Sequence, residues 1–420
     1  MGKIFYILFV RLYPLAARIA SLFNNKAKLW IEGRHNIFPA INNDLANDTN
    51  SRVWIHCASL GEFEQGRPLI EILKRKYSNY SIVLTFFSSS GYEHQKNYKE
   101  VDHIFYLPPD SKRNAQRYFD IVQPKLILFI KYEFWYYHLN EAKKRNIPLL
   151  LVSGVFRRDQ PFFKWYGNFY RQMLRCFTHL FVQNKTSLQL LHSIHFQNAS
   201  VSGDTRFDRV LQVADNFQHI PSIENFYAGK KVVVAGSTWL EDDEELDHYA
   251  NTYTDYCFII APHDISEQRL KECEKLYHHS IRYSEFIKLA SGNQQLANNT
   301  IIIDNIGMLK YLYSYATICY IGGGFGGDGV HNVLEAAVYA KPVVFGPVYH
   351  KYIEAAELVE RGGAFSVNDV LELEEIFNCL FENTEAYNLA ATNAGNYVVM
   401  KGGATKTIMQ YIQENRLLTN

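Results

Sequence analysis

Short apolar, β-prone runs that each give way to a helical segment recur along almost the whole chain. No other feature limits the possible folds as strongly. Val53–Ser59, Ser81–Phe87, Ile104–Leu107, Leu126–Ile130, Leu149–Ser153, His179–Gln183 and Ser200–Ser202 form one series. Lys231–Ala235, Phe258–Ala261, Thr300–Ile303, Ala316–Ile321, Val343–Phe345 and Ala364–Val367 form a second. Buried-type strands alternating with helices require parallel sheets with right-handed crossovers. The stretch Phe217–Gly229 has no clear period and is read as the linker. The expected fold is α/β: two Rossmann-like, doubly wound domains facing a cleft. A chain of 420 residues has room for both. The expected division is an N-terminal helix over 1–25, a first Rossmann-like domain over 26–212, a second over 213–395, and a helix over 396–420 that packs back on the first domain.

The richest stretch chemically is Tyr320–Pro347, YIGGGFGGDGVHNVLEAAVYAKPVVFGP. A strand runs into Gly322, Gly323, Gly324, Gly326, Gly327 and Gly329, which let the backbone turn sharply and approach a ligand closely. Asn332 is the expected cap of a helix over Val333–Ala340, which Lys341-Pro342 stops. Unsatisfied N–H groups at such a helix start attract phosphate. Glu335, one turn in, is placed to accept hydrogen bonds from a ribose. A structural glycine turn with a capping-box Asn/Glu pair has the same pattern. Gly236-Ser237-Thr238 makes another strand-to-helix turn in this half.

In the first half, Glu62 sits where the strand Val53–Ser59 turns into a helix, and Gly61 before it leaves room for a substrate. Open α/β sheets bind ligands at such carboxyl ends. Glu62 is a candidate general base, and an ordinary helix-start acid is the plain alternative. Lys131 to Trp135, with Glu133, follows another strand end.

Lysine plus arginine balances aspartate plus glutamate at 43 each, so no bulk basic field points to nucleic acid. Six scattered cysteines show no CxxC or metal spacing and fit a reducing compartment. Ile4–Phe23 is long enough to span a bilayer, but Arg11, Pro14 and Arg18 argue against a plain spanning helix. With Lys3, Lys26, Lys28 and Arg34 around it, it reads as an amphipathic helix on an anionic membrane surface. A helix packed on the protein's own core is the alternative.

Taken together, these motifs resemble the Kdo (3-deoxy-D-manno-octulosonic acid) transferases of lipopolysaccharide synthesis, glycosyltransferases of the GT-B fold. The resemblance runs through Trp54–Glu62 with Pro68-Leu69-Ile70, Glu133 with Trp135, Gly203 with Phe207-Asp208, Ala235–Thr238, Asp304 with Gly307, and Gly322-Gly323, His331-Asn332, Leu334-Glu335, Pro342-Val343 and Gly346-Pro347. It implies inverting transfer of Kdo from CMP-Kdo to a lipid A precursor at the cytoplasmic face of the inner membrane. No metal or other cofactor is expected. Glu62 is implied as general base, with Glu133 in the same cleft. Ser237, Thr238, Pro262, His263, Gly307, Gly323, Gly324, His331, Asn332 and Glu335 are expected around the donor. Ser59, Gly61 and Arg206 are expected on the acceptor or sugar side. The chain departs from the family pattern at Tyr136 (often Pro), Arg206 (Lys), Trp239 (His), Met308 (Glu), and at Pro262-His263, where an arginine is missing. A GT-B transferase using a UDP-sugar, a soluble nucleotide-sugar epimerase and an inactive binding module are the rival readings.

Overall fold

The computed structural model describes residues 2–131, 133–290 and 297–419. The chain divides into two compact units, Met1–Arg209 with Gly402–Asn420, and Val210–Lys401.

The first unit holds seven strands: β1 Ser51–Cys57, β2 Tyr80–Phe86, β3 His103–Tyr106, β4 Pro124–Ile130, β5 Leu149–Gly154, β6 His179–Val182 and β7 Ala199–Val201. They pair in parallel in the order β3-β2-β1-β4-β5-β6-β7. The order reverses between β1 and β4, where Ile55 pairs with Leu128 and His56 with Phe129. Alternation of side chains along a strand sends Val53, Ile55 and Cys57 into one core layer and Trp54 into the other. The layer under Ile55 also buries Ile408, Met409 and Ile412 of the helix Ala404–Glu414. Asp208 fixes the start of that helix by accepting the N–H groups of Gly403 (2.5 Å) and Thr405 (2.6 Å).

The second unit repeats the plan with β8 Val232–Thr238, β9 Cys257–Pro262, β10 Ser280–Arg282, β11 Thr300–Ile302, β12 Ile318–Ile321, β13 Val343–Phe345 and β14 Ala364–Ser366. The order is β10-β11-β9-β8-β12-β13-β14, all parallel, with its reversal between β8 and β12.

Three boundaries differ from the sequence expectation. The units part inside the continuous helix Thr205–Asp215, and 217–229 contains a helix of its own, Pro221–Tyr227. The second unit ends at Lys401 rather than 395, because the helix Thr384–Lys401 runs on to that point. The helix expected over Val333–Ala340 is one turn, Leu334–Ala337, and Ala340 turns left-handed at φ 52° ahead of Pro342.

The N-terminal helix, Gly2–Ala20, continues through Pro14. One stripe, Tyr6, Val10, Tyr13 and Ala17, is half-buried, while Ile4, Phe5, Leu8, Phe9, Leu12, Leu15 and Ile19 are at least half exposed. Among the described residues no helix is long and apolar enough to cross a membrane.

Candidate active site

A strand order that reverses leaves a crevice at the carboxyl ends of the two strands on either side. In the first unit those strands are β1 and β4, and each is followed by one of the candidate carboxylates. Beyond β1, Ser59 caps the helix Leu60–Lys76, and Glu62 is its third residue. Glu62 Oε2 accepts from Ser59 N (3.0 Å) and from the Ser59 hydroxyl. Both bonds fall on one oxygen, and among the described residues none falls on Oε1. The acid is therefore a capping-box residue with half of its carboxylate uncommitted. Gly61 is exposed beside it.

Beyond β4, Glu133 Oε2 accepts from Trp135 Nε1 and lies 3.2 Å from His56 Nε2. His56 is fully buried on β1, on the same face as Trp54. Its Nδ1 lies 2.9 Å from Thr85 Oγ1, which accepts Trp54 Nε1–H at 2.8 Å. Burial pushes up the pKa of the Cys57 thiol at the end of β1, and the charges of Glu62 and then Glu133 push it further.

Arg206 is held by Asp204, through Nε at 2.8 Å and the backbone N–H at 2.9 Å. Asp204 also accepts from Gln65 Nε2 (2.9 Å), one turn beyond Glu62. Thr205 donates its hydroxyl to the Gln65 carbonyl (2.6 Å). The Gly203–Asp208 turn is thus stapled to the helix that carries Glu62, and Arg206 is part of the staple.

In the second unit the reversal lies between β8 and β12. β8 ends in a tight turn at Ser237, at φ 57°, and the fully buried Thr238. The Thr238 carbonyl accepts His263 N–H (2.9 Å), which joins this turn to Pro262-His263 at the end of β9. After β12 the glycine turn packs directly on the turn that ends β8. A Cβ at Gly322 would lie 2.3 Å from the Ser237 carbonyl oxygen, and one at Gly324 would lie 2.4 Å from Gly346 N. These contacts admit no side chain.

Three rings meet over this reversal. His263 stacks on Trp239 (centroids 4.5 Å, 30°) and on His331 (4.6 Å, 11°). Trp239 Nε1 donates to His331 Nε2 at 3.1 Å, which stabilises the neutral imidazole. Burial, and then His263, lower the His331 pKa.

Two stretches expected at the donor site already hold internal partners. Gly323 N–H is taken by Asp242 Oδ2 (2.8 Å), so it is not open to a phosphate. Asp242, fully buried, also accepts from Trp239 N (2.9 Å) and Tyr320 OH (3.0 Å), and pins the glycine turn to the turn that ends β8. Asn332 Nδ2 donates to Glu335 Oε1 (2.9 Å) and Asn332 Oδ1 accepts Leu334 N–H (3.3 Å). The pair therefore closes a one-turn helix on itself. Gly307, at φ 99°, follows β11, and a side chain there would meet nothing within 4 Å. His56, Thr85 and Asp242 were missed by sequence reasoning. Only the i, i+2 spacing of Trp54 and His56 hinted at a shared face.

Residues 31–209 match the family model described as 3-deoxy-D-manno-octulosonic-acid transferase. The chain is 28% identical over 331 residues to a bifunctional glycosyltransferase/methyltransferase of Fusobacterium nucleatum, covering 76% of this chain and 51% of that protein. It is 24% identical over 372 residues to a 3-deoxy-D-manno-octulosonic acid transferase of Rickettsia prowazekii, covering 87% and 79%. In fold it is similar to the UDP-GlcNAc 2-epimerase of Neisseria meningitidis, with TM-score 0.61 and 17% identity over 86% of this chain and all of that one. The chain spans about half the length of the fusobacterial protein, and the likeness to the epimerase is one of fold alone. Residues 31–209 thus carry a domain described by the Kdo-transferase model, the chain is similar to Kdo transferases over most of its length, and its fold is GT-B-like.

Proposed function

We propose that this enzyme transfers Kdo from CMP-Kdo to a lipid A precursor, with inversion, at the cytoplasmic face of the inner membrane. The observation that carries the reading is the placement of Glu62 and Glu133 at the carboxyl ends of β1 and β4, at the reversal of the first unit's sheet.

In the proposed reaction Glu62 takes the proton of an acceptor hydroxyl as that oxygen attacks the anomeric carbon. The transition state is oxocarbenium-like, and charge builds on the departing CMP phosphate. In the second unit, His263 and His331 supply ring nitrogens, and the turns at the ends of β8 and β12 supply backbone. Donors held in place before the charge develops stabilise it most. The reading invokes no metal, so a chelator should leave the rate unchanged.

The N-terminal helix supports a membrane-bound acceptor. Its exposed apolar side, with Lys3, Arg11 and Arg18, suits an anionic lipid surface. A groove of about 440 Å³ lined by Tyr13, Ala17, Ala20, Trp30 and Phe87 runs beside it and suits an acylated substrate.

The test is CMP release by the purified protein from CMP-Kdo with a tetraacylated lipid A precursor, next to Glu62→Ala and to reactions with UDP-sugars. Acceptor-dependent CMP release that Glu62→Ala abolishes is the expected result. Release that survives Glu62→Ala overturns the base assignment, and turnover of a UDP-sugar in place of CMP-Kdo overturns the donor.

A further inference from the structure

The N-terminal helix reaches the Glu133 segment by two separate routes, both within the first unit. The first is polar. Tyr6 OH donates to Asp110 Oδ2 (2.5 Å) and accepts the backbone N–H of Tyr136 (2.9 Å). The same buried carboxylate gathers the next two residues: Oδ2 accepts Tyr137 N–H (2.9 Å), and Oδ1 accepts His138 N–H (3.0 Å) and lies 2.5 Å from His138 Nδ1. Tyr6 and Asp110 together hold three consecutive amides, 136 to 138, directly after Glu133-Phe134-Trp135. Lys3 lies 5.3 Å from the Tyr136 ring, on the same side.

The second route is aromatic. Tyr13 packs on Trp30 (5.2 Å, 74°) and on Phe87 (5.6 Å). Phe87 stacks on Trp135 (4.7 Å, 30°), and Trp135 Nε1 donates to Glu133 Oε2. Arg34 locks the middle of this route. Its guanidinium lies 3.9 Å from the Trp30 ring centroid and donates to the carbonyls of Phe87 (2.8 Å), Leu107 (2.9 Å) and Trp30 (3.1 Å). A carboxylate needs placing to within a fraction of an ångström to act in catalysis. Glu133 follows a strand end on irregular backbone, where regular hydrogen bonding does not fix it.

We propose that the N-terminal helix is the buttress of the Glu133 carboxylate, with Tyr6 and Tyr13 as positioning residues. One helix then both meets the lipid surface, through its exposed side, and sets an active-site group, through its half-buried stripe. The inference rests on the reading of Glu133 as part of the active site.

The test uses full-length protein and a detergent-dispersed acceptor, so that vesicle binding does not limit the rate. Tyr6→Phe removes the hydroxyl. Tyr136→Pro removes the N–H it accepts, together with the ring that packs on Tyr6 and Phe169, at the first position of the helix Tyr136–Lys144, where proline is well tolerated. Each should lower kcat about ten-fold with little change in donor KM, and should speed hydrogen exchange at amides 137 and 138. Neither should cause a further loss in a Glu133→Gln background, because coupled residues are non-additive. A wild-type rate for Glu133→Gln overturns both the active-site reading and this proposal. Impaired Glu133→Gln with fully additive losses, or unchanged exchange in both variants, overturns the buttress alone.

Discussion

His56 Nε2 faces Glu133 Oε2 across 3.2 Å, and the opposite side of the ring determines which nitrogen carries the hydrogen. Thr85 Oγ1 already accepts from Trp54 Nε1, so its own hydrogen is available to His56 Nδ1. The neutral imidazole then keeps its hydrogen on Nε2 and donates it to the carboxylate. Replacing His56 by Phe would keep most of the volume but leave Thr85 and Glu133 without that partner. Loss of about 1–3 kcal/mol of stability is expected from the buried hydroxyl. A fall in kcat of up to about 10²-fold is expected from a misplaced carboxylate. Urea denaturation and steady-state kinetics measure the two separately.

Glu62→Gln keeps the shape of the capping box and removes the base. The rate should fall by roughly 10²–10⁴-fold, while the weakened cap costs about 1 kcal/mol. CMP release and a thermal melt distinguish a catalytic from a structural role. A rate loss no larger than the stability loss explains would leave Glu62 as a helix cap only.

The His331 imidazole titrates below its ordinary value of 6.5 because it is buried and sits against His263. Folded protein therefore holds fewer protons on this group than unfolded protein as pH drops below 6.5. Its contribution to stability is complete above that value and is lost as pH falls through the depressed folded midpoint. Trp239→Phe removes the donor that favours the neutral ring and should move the midpoint back toward 6.5. Added CMP should move it the same way, because a phosphate favours the charged ring. NMR titration of the His331 ring protons reads both shifts.

Asp242 gathers two N–H groups and the Tyr320 hydroxyl in a fully buried position. Asp242→Ala should cost about 1–3 kcal/mol for each donor left unsatisfied. It should also loosen the glycine turn, raising the CMP dissociation constant about ten-fold or more by the displacement argument. Calorimetric titration with CMP, at a temperature where the variant is still folded, is the measurement.

Replacing Phe5, Leu8 and Leu12 by serine should weaken binding to anionic vesicles, since each large apolar side chain contributes about 1.5–3 kcal/mol when fully buried. High salt should weaken it further through the basic residues. Cosedimentation with vesicles of phosphatidylglycerol provides the test.

Much of this was readable from residue order. The strand series reported every strand but β10, because fully buried parallel strands are near-continuous apolar runs, whereas Ser280–Arg282 is short and only half-buried. Glu62 and Glu133 were readable as strand-end acids. The pairings were not. Tyr6 and Tyr136 are 130 positions apart, Trp239 and His331 are 92 apart, and nothing local marks either pair. The short helix at Leu334–Ala337 misled because its apolar spacing continues to Ala340, while the backbone turns left-handed there. Asp242 lies in an acidic run, Glu241–Glu245, where nothing local sets it apart, and only its burial reveals the turn it holds.

The Asp208 clamp on the start of the helix Ala404–Glu414 has a consequence for how the protein is made. Val210–Lys401 is one uninterrupted segment inserted into the first unit, whose core takes Ile408, Met409 and Ile412. A ribosome therefore releases the whole second unit before it has finished the first. During synthesis the first sheet must wait with part of one face bare, and nascent chains stalled between 210 and 400 should be the ones that chaperones hold longest.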